Sequence, residues 1–279
     1  MATLFVGGGN MASALIAGAI RAGTPPSELF VIERIEEQRT FLEKEFKVRC
    51  ISTESAANAA FDVVIWAVKP QHMKEAIEQI GALKDALHIS IAAGLPRSIL
   101  KEWLGSDRVV RTMPNSSSTI GAGVTGLFAH PEASEADRAT AERLFAPTGA
   151  VVWVNSDQQI DAITAISGSG PAYVFHFLEG FQRGALELGF SAEQARTLVL
   201  QTLQGAVSQA LASDDEFSTL RKRVTSERGT TAAAIDVFDA KSSQATTSAA
   251  VHAAFHRAQE IAAEWVKTTP QRHLKGAQG

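Results

Sequence analysis

Ser226, Thr230 and Thr231 place three hydroxyls in the segment Val224-Thr225-Ser226-Glu227-Arg228-Gly229-Thr230-Thr231, just ahead of the run Ala232-Ala233-Ala234-Ile235. This pattern reads as a turn entering a helix. Hydroxyl donors and the first helical N–H groups, left open by Gly229, would converge on an anion such as a carboxylate. An ordinary helix start with a capping hydroxyl has the same spacing, so the segment alone leaves both readings open. At the other end of the chain, Gly7-Gly8-Gly9-Asn10-Met11-Ala12 follows a short apolar run and opens an Ala-rich stretch. Gly7-x-Gly9-x-x-Ala12 in that setting is a dinucleotide fingerprint: Gly7 for the tight turn, Gly9 for close approach to a pyrophosphate, and Ala12 for helix–strand packing. Asn10 and Met11 would open the helix whose positive end faces the phosphates.

Glu33 closes the second apolar run, where an acid would hydrogen-bond the ribose hydroxyls of NAD. Its neighbour Arg34 argues for the 2′-phosphate of NADP, and a solvated charge pair is the third possibility. Ala67-Val68-Lys69-Pro70 and Ala92-Ala93-Gly94 fall at the carboxyl ends of later strands, the edge where open α/β sheets bind ligands, and are expected as walls of a coenzyme crevice. Taken alone, Lys69 also fits a solvated loop charge, and Ala92 to Gly94 a small-residue turn. His252 and His256 are spaced i, i+4 without a third ligand at suitable spacing, so no metal site is expected.

The elements that must position these residues alternate along the chain. Strands are expected at 3–6, 29–32, 48–51, 62–68, 88–92 and 109–113, with helices over 10–22, 36–46, 71–86 and 97–104, a repeated β-α pattern implying a parallel sheet. The run Asp62 to Val68 is apolar on both alternating faces, as in a strand covered on both sides. Late strands at 121–129 and 150–155 flank a helix at 134–145. After Asn155 strand signals end, and 158–189, 191–212 and 242–267 read as long helices. The expected fold is α/β: a Rossmann-like domain over 1–156, followed by an all-helical domain over 157–279 with a frayed tail from Thr268.

The sequence has 279 residues, 45% of them hydrophobic and 20% charged, with a formal net charge of −4. A mildly acidic chain gives no electrostatic reason to expect nucleic acid or an anionic membrane as partner. Its single cysteine, Cys50, and the absence of an apolar leader ahead of the glycines lead us to expect a cytoplasmic protein.

The chain resembles the pyrroline-5-carboxylate reductase family along nearly its whole length. The likeness rests on Gly7-Gly8-Gly9-Asn10-Met11-Ala12, Ala67-Val68-Lys69-Pro70-Gln71, Ala92-Ala93-Gly94, Arg111-Thr112-Met113-Pro114-Asn115, Ser167-Gly168-Ser169-Gly170-Pro171-Ala172-Tyr173 and the Val224 to Thr231 segment. The resemblance implies reduction of the cyclic imine 1-pyrroline-5-carboxylate to L-proline, the last step of proline biosynthesis, by hydride from NADPH or NADH. It also implies a helical domain that interlocks with that of a second subunit, in a homodimer or higher homo-oligomer whose active site needs the dimer. By carry-over, Thr231 would hydrogen-bond the ring nitrogen, Ser226 and the N–H groups of Gly229 and Thr230 would hold the carboxylate, and Met113 and Asn115 would lie beside the nicotinamide. The chain departs from the family's usual Pro-Gly at Glu227-Arg228, where Arg228 would offset the acid beside the substrate, and from Asn-Thr-Pro at Asn115-Ser116-Ser117. Competing readings are a related imine reductase, a 3-hydroxy acid dehydrogenase, or a nucleotide-binding regulator without catalysis. The dehydrogenase would need a lysine in a glycine-rich context, which neither Lys222 nor Lys241 has.

Overall fold

The computed structural model describes residues 1–81, 83, 85–130 and 133–268; beyond Thr268 the tail lies outside the described residues. Strands β1 (Thr3–Val6), β2 (Leu29–Ile32), β3 (Arg49–Cys50), β4 (Val63–Trp66), β5 (Leu87–Ser90), β6 (Val109–Met113), β7 (Gly123–Ala129) and β8 (Gly149–Trp153) form one sheet in the order β3-β2-β1-β4-β5-β6-β7-β8. From β1 the chain steps outward through β2 and β3, then returns to place β4 on the other side of β1. This reversal makes the carboxyl ends of β1 and β4 the switch point at which open α/β sheets bind their ligands.

Both faces of the sheet are covered, which explains the unbroken apolar runs of β1 and β4. Alternate residues point to opposite faces. Phe5, Val63 and Ile65 enter one core with Leu15, Ile16 and Phe145, while Leu4, Val6, Val64 and Trp66 enter the other with Met73, Ile77 and Leu100. The helices supplying these layers are α1 (Asn10–Arg21), α2 (Glu36–Phe46), α3 (Thr53–Ala57), α4 (Pro70–Ile80), α5 (Arg97–Leu104) and α6 (Glu135–Phe145).

The expected α/β class is borne out, with one departure from a purely parallel sheet: β7 runs antiparallel to β6. A 3₁₀ turn at Ser116–Ile120, ended by Gly121 at φ 74°, reverses the chain in too few residues for a crossover helix. The remainder is helical: α7 (Asp157–Ile163), a π turn at Thr164–Gly168, α8 (Gly170–Glu187), α9 (Ala192–Leu211), α10 (Phe217–Arg223), α11 (Thr230–Ala240) and α12 (Ser243–Thr268).

Two compact units result, one of Met1–Ser169 with the described part of Ala254–Gly279, the other Gly170–Ala253. In the second unit Leu188, Leu211 and Phe217 are each about four-fifths exposed. None of the described helices is long and apolar enough to cross a membrane.

His88 on β5 is fully buried, and its Nδ1 accepts a hydrogen bond from Trp66 Nε1 at 3.2 Å. Burial pushes this imidazole from 6.5 down to about 4. The unfolded chain therefore takes up a proton that the folded chain refuses, so the contribution of His88 is complete above pH 6.5 and declines as pH falls toward about 4. His88→Gln keeps an acceptor for Trp66 but does not titrate. Chemical denaturation at a series of pH values should show that the variant loses less stability across this window than the parent, by up to about 3 kcal/mol.

Candidate functional site

Each position of the glycine turn has its reason in the structure. Gly7 sits at φ +100°, and a β-carbon there would lie 2.6 Å from the Ala67 carbonyl oxygen, because β1 and β4 close together at this point. At Gly9 a β-carbon would meet nothing within 4 Å, so the backbone is open to a ligand. Ala12 is buried in the core beneath α1. No side chain caps α1, whose N-cap residue is Gly9, and its leading amides keep the positive end of the helix available to phosphate. This open cradle fits the diphosphate of a dinucleotide.

A cavity of about 530 Å³ adjoins the cradle, walled by Gly7, Gly9, Glu33, Arg34, Ser52, Thr53, Ala67, Val68, Lys69, His72 and Gln79 among others. Lys69 precedes α4, and Pro70 occupies the first turn of that helix, where a missing N–H costs nothing. Glu33, on the cavity wall, is held to the turn: its Oε2 accepts from Gly8 N at 2.8 Å and its Oε1 from Ile35 N at 2.9 Å. Arg34 is exposed and reaches α4, donating to Glu75 Oε1 at 3.1 Å and Gln79 Oε1 at 3.2 Å. Asn10, next to Gly9, also lines a shallow hollow with Ser13, Gln38, Phe41 and Phe46, and Met11 is half-buried on the same helix. Pro70 and Ala93 wall a neighbouring cavity with Ile261 and Trp265 of α12. Ala92 is buried beside them, and Gly94, two residues on at φ +73°, packs so tightly on Ile261 that a side chain there would collide.

Met113 and Asn115 lie at the end of β6, where they meet the π turn. Gly168 sits against Met113 Cε, Asn115 Nδ2 donates to Ser167 O at 3.1 Å, and Asn115 Oδ1 accepts from Val124 N at 3.1 Å. One strand residue earlier in the same face, Arg111 is 1% exposed and donates to Asp157 Oδ1 at 2.7 Å and Asp161 Oδ1 at 2.6 Å. Asp157 also accepts from Arg97 N at 3.0 Å. Burial pushes the Asp161 carboxyl up, against the pull of the Arg111 guanidinium. These charges fasten α7 to β6, and the π turn that carries Ser167-Gly168 grows from the end of α7. The sequence offers Arg111 only as part of a motif and gives no sign of its pairing with Asp157 and Asp161, since nothing local joins residues 46 and 50 positions apart.

In the second unit the hydroxyl segment forms the expected turn, with α11 beginning at Thr230 and Gly229 as its N-cap. A side chain on Gly229 would collide with the Ser226 hydroxyl, which places Ser226 Oγ against the amino end of the helix. Gly229 N, expected to face a carboxylate, instead donates to Ser226 O at 3.1 Å to close the turn. The α-helical ladder starts only with Ala233 N on Gly229 O, so the amides of Thr230, Thr231 and Ala232 precede it. Arg228 adopts φ 57°, the left-handed region where glycine is at ease. Elsewhere in this part of the chain, His252 Nδ1 lies 2.9 Å from Ser248 O, and among the described residues no group of three His, Cys, Asp or Glu side chains gathers for a metal.

A glycine cradle on a switch-point crevice, joined in one chain to a helical unit with an anion-suited turn, defines a dinucleotide-dependent oxidoreductase. Residues 3–94 match the family model described as NADP oxidoreductase, coenzyme F420-dependent, and residues 157–261 match that of pyrroline-5-carboxylate reductase dimerisation. The pyrroline-5-carboxylate reductase of Pseudomonas aeruginosa is 41% identical over 92% of this chain and 96% of its own, and Bacillus subtilis pyrroline-5-carboxylate reductase 2 is 33% identical over 96% and 98%. The solved reductase of Coxiella burnetii superposes with a TM-score of 0.85 at 37% identity, covering 93% of this chain and 97% of that one. That of Plasmodium falciparum, solved with NADP bound, gives 0.82 at 28%, covering 94% and 98%. The chain belongs to the pyrroline-5-carboxylate reductase family.

Removing Arg111 would strand two acids, one of them deeply buried. Arg111→Met should therefore cost about 3–5 kcal/mol of unfolding free energy by chemical denaturation. Adding Asp161→Leu should recover most of that loss, because the remaining acid, Asp157, still reaches solvent and the Arg97 amide.

Proposed function

We propose that the chain reduces 1-pyrroline-5-carboxylate to L-proline with NADPH or NADH, the final step of proline biosynthesis. The observation that carries the substrate side is the uncapped amino end of α11, where the Ser226 hydroxyl stands beside amides that precede the helical ladder. Such a terminus holds a carboxylate without a cationic pocket.

On the coenzyme side, Gly7, Gly9, Asn10, Met11 and Ala12 would form the diphosphate cradle, and Glu33, Arg34, Ala67, Val68, Lys69 and Pro70 the adenosine side. Ala92, Ala93, Met113 and Asn115 would border the nicotinamide. When bound, the reduced nicotinamide supplies the hydride. A protonated imine is already electrophilic, so the protein has to align it more than activate it. Thr231 would hydrogen-bond the ring nitrogen as its π pair collapses to a lone pair, while Ser226 and the Thr230 amide hold the carboxylate. Gly229 contributes by leaving room for Ser226, and Arg228 would balance Glu227 beside the bound anion. Holding Arg228 in the left-handed region costs about 1 kcal/mol, a strain that a residue kept for its guanidinium explains.

We also infer a homodimer or larger homo-oligomer in the cytoplasm. The exposed apolar side chains of the second unit and the match to a dimerisation model support the first, and the free thiol of Cys50 suits the second.

Coenzyme oxidation followed by absorbance, with and without pyrroline-5-carboxylate, tests the reading, and oxidation independent of the imine would reject it. Thr231→Ala should lower kcat/KM for the imine by a factor on the order of 10 to 100, as for one lost hydrogen bond in the transition state. Arg228→Ala should raise KM for the imine. An unchanged KM would mean that the guanidinium serves no substrate role.

A further inference from the structure

The acid that closes β2 is, by the general rule for dinucleotide folds, the ribose ligand that favours NAD over NADP. In this chain its two oxygens are engaged elsewhere. Glu33 Oε2 accepts from Gly8 N at 2.8 Å and Oε1 from Ile35 N at 2.9 Å. The same glycine is held on its other polar atom from two helices: Gln38 Nε2 of α2 donates to Gly8 O at 2.5 Å, and Ser13 Oγ of α1 donates to it at 3.3 Å. A β-carbon on Gly8 would run into Leu42 of α2 and lie 3.2 Å from Glu33 Oε2. The middle residue of the turn is thus clamped through both its N–H and its C=O. Arg39 Nη1 extends the clamp by donating to the carbonyls of Glu33 at 3.0 Å and Arg34 at 2.7 Å.

We propose that Glu33 is a positioning residue that fixes the diphosphate cradle through Gly8 and does not select the coenzyme, and that discrimination between NADPH and NADH falls to Arg34 on the rim of the same crevice. This rests on the nicotinamide-dependent reading given above.

Two consequences follow from the geometry. A carboxylate whose two oxygens are each directed at a backbone amide of the turn has a structural task that is the same whichever coenzyme binds. Arg34 is two-thirds exposed and lines the crevice with Ser52, Thr53 and His72, and among the described residues its guanidinium is held by Glu75 and Gln79. An exposed pair of this kind is worth little, so the guanidinium can turn to a phosphate at small cost.

The Kd values of NADPH and of NADH for the intact protein, read by coenzyme fluorescence, separate the roles, with melting temperature recorded for each variant. Glu33→Ala should raise both values by about tenfold, and by the same factor, since both coenzymes share the cradle. Glu33→Gln, which retains one acceptor, should raise both by less. Arg34→Ala should raise the NADPH value about tenfold more than the NADH value. A Glu33→Ala protein that loses NADH while keeping or gaining NADPH would restore the ribose role and overturn the proposal. So would unchanged Kd values beside a lowered melting temperature, the mark of a purely structural acid. Parent protein that binds neither coenzyme would instead reject the reductase reading, a result distinct from either.

Discussion

The Ala67 carbonyl stands so near Gly7 that any β-carbon at Gly7 would lie 2.6 Å from its oxygen. That approach is where β1 and β4, consecutive in the sheet but not in the chain, end side by side. The crevice opens at this point because the strand order reverses here, and α1 can start immediately because Gly7 takes a positive φ that other residues resist. An uncapped helix end, an open Gly9 and a crevice wall formed by Ala67 to Lys69 all follow from this one close contact. Changing Gly7 would move the phosphate cradle and the wall together.

A second constraint acts on the far side of the sheet. Arg111 is too deeply buried to be left without partners, and it is paired with two acids on α7. Burying such charges adds little net stability compared with an apolar core, but it fixes position, because each partner has a single place to be. What it fixes is the start of the π turn, whose Ser167 carbonyl and Gly168 meet Asn115 and Met113. π turns concentrate at functional sites, and this one joins the residues expected beside the nicotinamide to the Ser-Gly-Ser-Gly motif.

Much of this was legible in the sequence where short-range physics decides. The β1 strand, glycine turn and α1 could be read because glycine spacing and an apolar run act locally. The Asp62–Val68 run announced a strand covered on both faces, which is the environment of β4. The hydroxyl turn before Thr230 was likewise readable from its residue types. The antiparallel β7 was not, since direction depends on the 3₁₀ turn at Ser116–Ile120, whose sequence shows no strong reversal signal before Gly121. The bond from the Gly8 amide to Glu33 depends on the two being near in space, which spacing along the chain does not show. Arg228 in the left-handed region is likewise a conformational fact that its residue type does not announce.

The central claim is that a coenzyme held by the glycine turn gives its hydride to the imine carbon of a pyrroline carboxylate. Reduction of pyrroline-5-carboxylate by nicotinamide coenzyme deuterated at the transferable position, followed by mass spectrometry and NMR of the product, tests it directly. The account predicts L-proline carrying deuterium on the ring carbon that flanks nitrogen on the side away from the carboxylate. Unlabelled proline, or coenzyme oxidation without proline, would contradict it.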